Sequence, residues 1–137
     1  MSTTHTPLHQ LHADAGASFT DFAGWQMPVR YTSDLAEHHA VREAAGLFDL
    51  SHMAEIRLTG DLAPDALDYA LASTMSAVPI GDAKYTLCLN DQAGIIDDLV
   101  VYRLGETEYL VVANASNRDA VVKALTHRAE PFGVDVA

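Results

Sequence analysis

The sequence contains a single cysteine, Cys88, so no disulfide can close within the chain, which fits a reducing compartment. Basic residues are scarce as well. Lys and Arg number 8 against 19 Asp and Glu, a formal net charge of −11. Nucleic-acid and anionic-membrane surfaces rest on clustered Lys and Arg, so both are excluded as expectations. A small anionic ligand held by one or two local cations stays compatible with this balance. No apolar run approaches the ~20 residues that span a bilayer. The opening MSTTHTPLHQ is followed by no apolar segment and does not read as a signal peptide. The expectation is a soluble cytoplasmic protein. GxxxxGK[ST], GxGxxG and GxSxG are all missing, so familiar nucleotide and acyl-transfer sites are not indicated.

What is present is apolar material for a core. Hydrophobic residues make up 49% of the 137 positions, enough for one domain or two small lobes. A helix is expected from about Thr6 to Ala15, with Pro7 in its first turn and Gly16 as its stop. FTDFAGWQMPVRYT reads as extended chain with a bend. SDLAEHHAVREAAG reads as a helix capped by Asp34, with Glu37 three residues on and Gly46 at its end. From Met53 the order becomes β-α-β-β-β-α-β. AEIRLTG alternates as a half-buried strand. APDALDYALAS is a helix with Pro64 in its first turn. KYTLCLN and IIDDLVVYRL flank the turn DQAG, and GET turns the chain into EYLVVAN. SNRDAVVKALTHRA is a helix capped by Ser116, and VDVA begins a strand with no partner after it. Hairpins interleaved with helices imply an α+β fold, an antiparallel sheet with helices packed on it. The unpaired last strand suggests part of a larger protein.

The chemistry-bearing residues divide unevenly. Cys88 lies in a strand and reads as core packing. His5, His9 and His12 have i, i+4, i+7 spacing and are expected on one solvated helix face, with no metal. His38 and His39 point about 100° apart on their helix and do not share a ligand. His52 precedes a strand and reads as a hydrogen-bonded structural histidine. The adjacent pair Asp97 and Asp98 is different, because it sits inside an apolar strand. Strand parity places Ile96, Asp98, Val100 and Tyr102 on one face, and Ile95, Asp97, Leu99, Val101 and Arg103 on the other. Asp97 follows a turn and is expected to bond local backbone N–H groups. Asp98 lies deeper among apolar neighbours. It is either satisfied by a buried donor or awaits a ligand.

DFAGWQMPVRY, VREAAGLFDLSHM, GDAKYTLCLNDQAGIIDDLVVYR and YLVVANASN together resemble the N-terminal part of the glycine cleavage system T-protein family. The resemblance runs in order along nearly the whole chain from Thr6. It implies the folate-binding T-protein-like fold and a tetrahydrofolate-dependent aminomethyltransferase. In that reaction the one-carbon unit passes from the aminomethyl-lipoyl arm of the H-protein to tetrahydrofolate, with release of ammonia. The partners implied are lipoylated H-protein, tetrahydrofolate as acceptor substrate and the other glycine cleavage components. By the same resemblance Asp98 is the catalytic carboxylate, and Met53, Tyr85, Asp98, Val100, Tyr102 and Asn114 are folate-binding positions.

The resemblance covers only the first third of such a protein. It implies that residues 1–52 are the first segment of a discontinuous domain and that 53–137 are an α+β second domain. The isolated chain is expected to be inactive, and a homo-oligomer is expected to cover apolar residues such as Phe22, Trp25 and Phe48. The alternatives are a folate-binding module without turnover, or the folate domain of another enzyme. Dimethylglycine and sarcosine oxidoreductases, a sulfoniopropionate demethylase and a tRNA-modifying GTPase carry folate domains that resemble T-proteins.

Overall fold

The alternation of apolar residues in the second half of the chain translates into a sheet with one buried face. The computed structural model describes residues 4–137, and the chain divides into two compact units, one ending at His52 and the other running from Met53 to Ala137.

In the first unit, strands β1 (Thr4–His5), β2 (Ser18–Phe22) and β3 (Trp25–Arg30) form a sheet of order β1-β3-β2. The bend expected in FTDFAGWQMPVRYT is a two-residue hairpin turn. Ala23 and Gly24 both take positive φ (51° and 84°), which matches the right-handed twist of the flanking strands. Helix α1 spans only His9–Asp14, shorter than expected. Thr6 precedes a proline and is disfavoured in the helical region, and Thr4 and His5 pair instead with Trp25 and Gln26. His5 therefore leaves the helix, and its ring stacks on His9 at 3.9 Å.

Helix α2 (Asp34–Glu43) is capped one residue earlier than expected. Ser33 is extended (φ −151°, ψ 130°) and its Oγ accepts from the Ala36 N–H at 3.4 Å. Asp34 is its first helical residue. Glu37 accepts from the Tyr31 and Thr32 N–H groups at 2.8 and 2.9 Å, tying the preceding loop to the helix. Those bonds hold its carboxyl below the ordinary range. The helix stops before Ala44, short of Gly46.

In the second unit, β4 (Ala54–Thr59), β5 (Ala83–Leu89), β6 (Ile95–Arg103), β7 (Glu108–Ala113) and β8 (Asp135–Val136) form an antiparallel sheet of order β5-β6-β7-β4-β8. Helices α3 (Ala63–Ala70) and α4 (Arg118–Ala129) cover one face. Ile56, Leu58, Leu99, Val101, Tyr109 and Val111 point toward Leu67, Val121 and Leu125 in a single core. The α+β expectation holds, and Pro64 sits at the start of α3 as expected. The last strand does have a partner: Val136 and Asp135 pair with Leu58 and Thr59 of β4. That partner lies earlier in the sequence, and pairing between distant segments is not carried by local pattern.

Ser116 does not cap α4. Ala115–Asn117 form a 3-10 turn ahead of the helix with no side-chain cap. In the β5–β6 turn, Ala93 carries the positive φ of 61°. A Cβ on Gly94 would meet Asn90 Nδ2 at 2.8 Å, so the Asn90 amide, whose Oδ1 accepts from the Gly94 N–H, would have to shift.

Candidate active site

The helix-free face of the sheet in the second unit carries the candidate site. The cross-strand register pairs Tyr85 with Val100, Leu87 with Asp98, and Ala83 with Tyr102. Val100 is in turn paired with Val112, and Tyr102 with Leu110. Alternation then puts Tyr85, Leu87, Asp98, Val100, Tyr102, Leu110, Val112 and Asn114 on one face. Val100 is half-buried, while Tyr85 and Tyr102 are 63% and 41% exposed.

Parity separates the two aspartates as expected, but their burial is the reverse of the expectation. Asp97, not Asp98, is the buried one, at 2% exposed. It lies on the helix-covered face with Leu99 and Val101. Nor does it bond its own turn. Its carboxylate accepts from the Asn114 N–H (2.8 Å), from Asn114 Nδ2 (2.9 Å) and from Asn117 Nδ2 (2.6 Å). These donors lie at the end of β7 and in the 3-10 turn after it, close in space but 17 to 20 residues away in sequence.

Asp98 is exposed on the open face. Tyr85 Oη donates to its Oδ2, and Asn114 Nδ2 donates to its Oδ1 at 3.1 Å. The hydrogen bond to the Asp98 carboxylate pushes the Tyr85 phenol above its ordinary pKa. Tyr85, Asp98 and Asn114 thus converge. Each Asp98 oxygen has one donor and keeps lone-pair capacity on the open side. Val100 and Tyr102 extend the same face along β6. Met53, immediately before β4, is half-buried and lines a cavity of about 280 Å³ with Glu55, Arg118 and Val136, outside the hydrogen-bonded group.

Cys88, His52 and Arg103 are engaged in packing or backbone contacts. Cys88 is fully buried as expected, and its burial pushes the thiol pKa up, with the Arg128 guanidinium 3.4 Å away opposing. His52 is packed rather than hydrogen-bonded: Nδ1 is buried without a partner, and the ring meets Phe22 and Trp25 edge-on. Arg103 donates to the Ser76 and Val78 carbonyls and lies 5.5 Å over the Tyr109 ring.

A larger cavity, about 600 Å³, lies in the first unit among Leu8, Met27, Val41, Phe48 and Leu50. Three of its lining residues are joined by hydrogen bonds. His12 bridges Tyr31 Oη (2.6 Å) and Asp49 Oδ2 (2.8 Å), so His12 is not the solvated residue expected. Burial acts against charge on Asp49. Hydrogen bonds from Ser51 and His12 outweigh it and hold the carboxyl well below the usual range. No group of three or more His, Cys, Asp and Glu among the described residues is arranged to hold a metal. In this cavity Glu37 accepts from the backbone of the loop ahead of its helix, and Asp49 accepts from His12 and Ser51. The open sheet face presents a carboxylate, Asp98, that keeps unused acceptor capacity beside apolar and tyrosine side chains.

Sequence reasoning missed the Asn114–Asp97–Asn117 network and the Tyr31–His12–Asp49 bridge. The two asparagines three apart in NASN were a signal for the first. The second joins positions 12, 31 and 49, and no local pattern links them.

Residues 8–137 match the model of the family described as GCVT N-terminal domain. The aminomethyltransferase of Saccharopolyspora erythraea is 59% identical over 131 residues, covering 96% of this chain and 36% of the relative. That of Cutibacterium acnes is 60% identical over 131 residues, covering 96% and 35%. The crystal structure of glycine cleavage system aminomethyltransferase T from Bartonella henselae superposes with a TM-score of 0.95 at 44% identity. The match covers 98% of this chain and 38% of that one. The chain thus spans a little over a third of the length of the relatives it matches.

Proposed function

Since the chain belongs to the GCVT N-terminal domain family, we propose that it supplies one wall of the active site of a tetrahydrofolate-dependent aminomethyltransferase of the glycine cleavage system. The substrates are tetrahydrofolate and the aminomethyl-lipoyl arm of the H-protein, and the products include ammonia. The observation that carries the reading is the convergence of Tyr85, Asp98 and Asn114 on an open apolar face. By this reading residues 1–52 are the first segment of a discontinuous domain, and 53–137 a second domain. The protein works in the cytoplasm. No helix among the described residues is long and apolar enough to cross a membrane.

The chemistry follows from the acceptor-rich site. Two tetrahydrofolate nitrogens form bonds to the aminomethyl carbon as its bonds to the amino nitrogen and the lipoyl sulfur break. Their two protons end on the ammonia and the thiol that leave, and positive charge develops on each attacking nitrogen as its bond forms. A carboxylate fixed by two donors orients the amine, stabilises the charge and accepts the proton. Asp98 has this role. Val100 and Tyr102 offer flat and apolar surface to the pterin face, and Tyr85 and Asn114 hold the carboxylate. Met53 lies at the rim of the same sheet end and is assigned a peripheral folate contact.

Calorimetric titration of tetrahydrofolate into the 137-residue chain tests the binding half of the proposal, with saturable binding expected. Asp98→Asn in a protein of the relatives' full length tests the chemistry. Ammonia release from loaded H-protein should fall by about 10²-fold or more, with folate affinity changed far less. Turnover within a few-fold of the parent would sink the assignment of Asp98.

A further inference from the structure

Asp97 takes no part in the proposed chemistry, yet it reaches the site through one residue. It lies on the covered face of β6, opposite Asp98, and is 2% exposed. Asn114 gives it two donors, the backbone N–H at 2.8 Å and Nδ2 at 2.9 Å. Nδ2 also faces the Asp98 carbonyl oxygen (3.2 Å) and Asp98 Oδ1 (3.1 Å). An amide NH₂ has two protons, and here they point to acceptors on both aspartates. Turning the amide over would set its carbonyl oxygen against carboxylate oxygens with no donor between them. Only one orientation is compatible with the network: nitrogen toward the aspartates, Oδ1 turned away. Asn117 Nδ2, 2.6 Å from Asp97 Oδ1, braces the same carboxylate from the turn that follows.

We propose that Asp97, braced by Asn117, is a positioning residue that fixes the Asn114 amide as an outward-facing acceptor beside Asp98. The proposal rests on the reading of this face as the folate site. Its consequence is a rule for the ligand. Asp98 and Asn114 Oδ1 together present acceptors, so the part of a bound molecule that reaches them carries N–H donors, as the reacting amines of tetrahydrofolate do. An analogue with acceptors there is rejected, because two acceptors would face each other without a proton.

The test uses the ¹⁵N-labelled 137-residue chain and has two independent readouts. The first is the water-exchange rate of the Asn114 side-chain NH₂ in the free protein. Asn117→Ala, at a half-buried position, should raise it by about tenfold or more in a chain that stays folded. The second is tetrahydrofolate affinity in a double-mutant cycle. Asn117→Ala should weaken binding about 3- to 10-fold, the loss of one hydrogen bond's orientation. In an Asn114→Ala background the same change should alter affinity less than about 2-fold. Unchanged exchange in the folded variant overturns the proposal. So does an equal affinity loss in both backgrounds, which is what a purely structural role produces. If the parent shows protected exchange that Asn117→Ala abolishes but no response to tetrahydrofolate, the folate reading fails and the positioning of Asn114 is upheld. The two failures are therefore distinguishable.

Discussion

Replacing Asp97 with alanine removes one acceptor group from three N–H donors at once. The three are not equivalent. Asn114 Nδ2 keeps Asp98 as a partner, and Asn117 is half-buried and reaches water. The Asn114 backbone N–H is left with no replacement. A stranded buried donor costs about 1–3 kcal/mol, and a hydrogen bond to a charged group contributes about 1.5–3 kcal/mol. Relief of carboxylate desolvation offsets part of the loss. The net expectation is a destabilisation of about 2–4 kcal/mol. For a unit of this size that lowers Tm by roughly 10–30 °C. Asp97→Asn keeps one acceptor oxygen but sets an NH₂ group among donors, so it should cost about half as much. Circular dichroism during heating and in urea is the assay. The urea midpoint should fall with an unchanged m-value, since the folded sheet exposes no new surface. An Asp97→Ala midpoint within about 2 °C of the parent would refute the claim that this carboxylate organises the β6–β7 end of the sheet.

Three further outcomes follow from the same geometry. Leu99→Ala, in the core, should cost about 2–5 kcal/mol in urea unfolding, and Val100→Ala on the open face less than about 1 kcal/mol; the opposite ranking would mean the faces are assigned wrongly. In ultraviolet titration, the tyrosine signal that disappears in Tyr85→Phe should ionise above the ordinary range of about 10, because the phenol's hydrogen bond to the Asp98 carboxylate holds its proton. The stability this bond gives is present below that range and lost as pH rises through the folded value. Asp98→Asn should bring the transition down, and an unmoved transition would break the pairing. Asp49, with its pKa lowered, contributes stability that is present above about pH 4, the unfolded carboxyl's value, and lost as pH falls toward the folded one. Asp49→Asn should flatten the acid dependence of unfolding in the first unit, and an identical acid profile would contradict that role.

Much of this architecture was legible because it is periodic. The two-residue alternation of IIDDLVVYR assigned Asp97 and Asp98 to opposite faces, and the same alternation in β4 and β7 holds in the sheet. Pro64 marked the start of α3 for a local reason, since its missing N–H has no partner to lose at a helix start. Helix caps are less legible in the local pattern. Ser33 rather than Asp34 caps α2, and Ser116 caps nothing. Neighbouring residues with similar capping tendencies compete, and the surrounding backbone decides between them.

The sequence by itself determined the α+β class, the separation of the two aspartates and, through four ordered blocks, the family. Those are properties of local pattern and order along the chain. Which face the helices would cover was a tertiary decision. Alternation says that two faces differ, but β6 has apolar residues on both, so the choice was left to α3 and α4. Packing Leu67, Val121 and Leu125 against Leu99 and Val101 put Asp97 inside and left Asp98 on the open side. Only then did donors distant in sequence meet their acceptors. Asn114 and Asn117 closed on Asp97 because β7 pairs with β6, and Tyr85 reached Asp98 because β5 pairs with its other edge. Hydrogen bonds between strands depend on register, and register is a property of the assembled sheet.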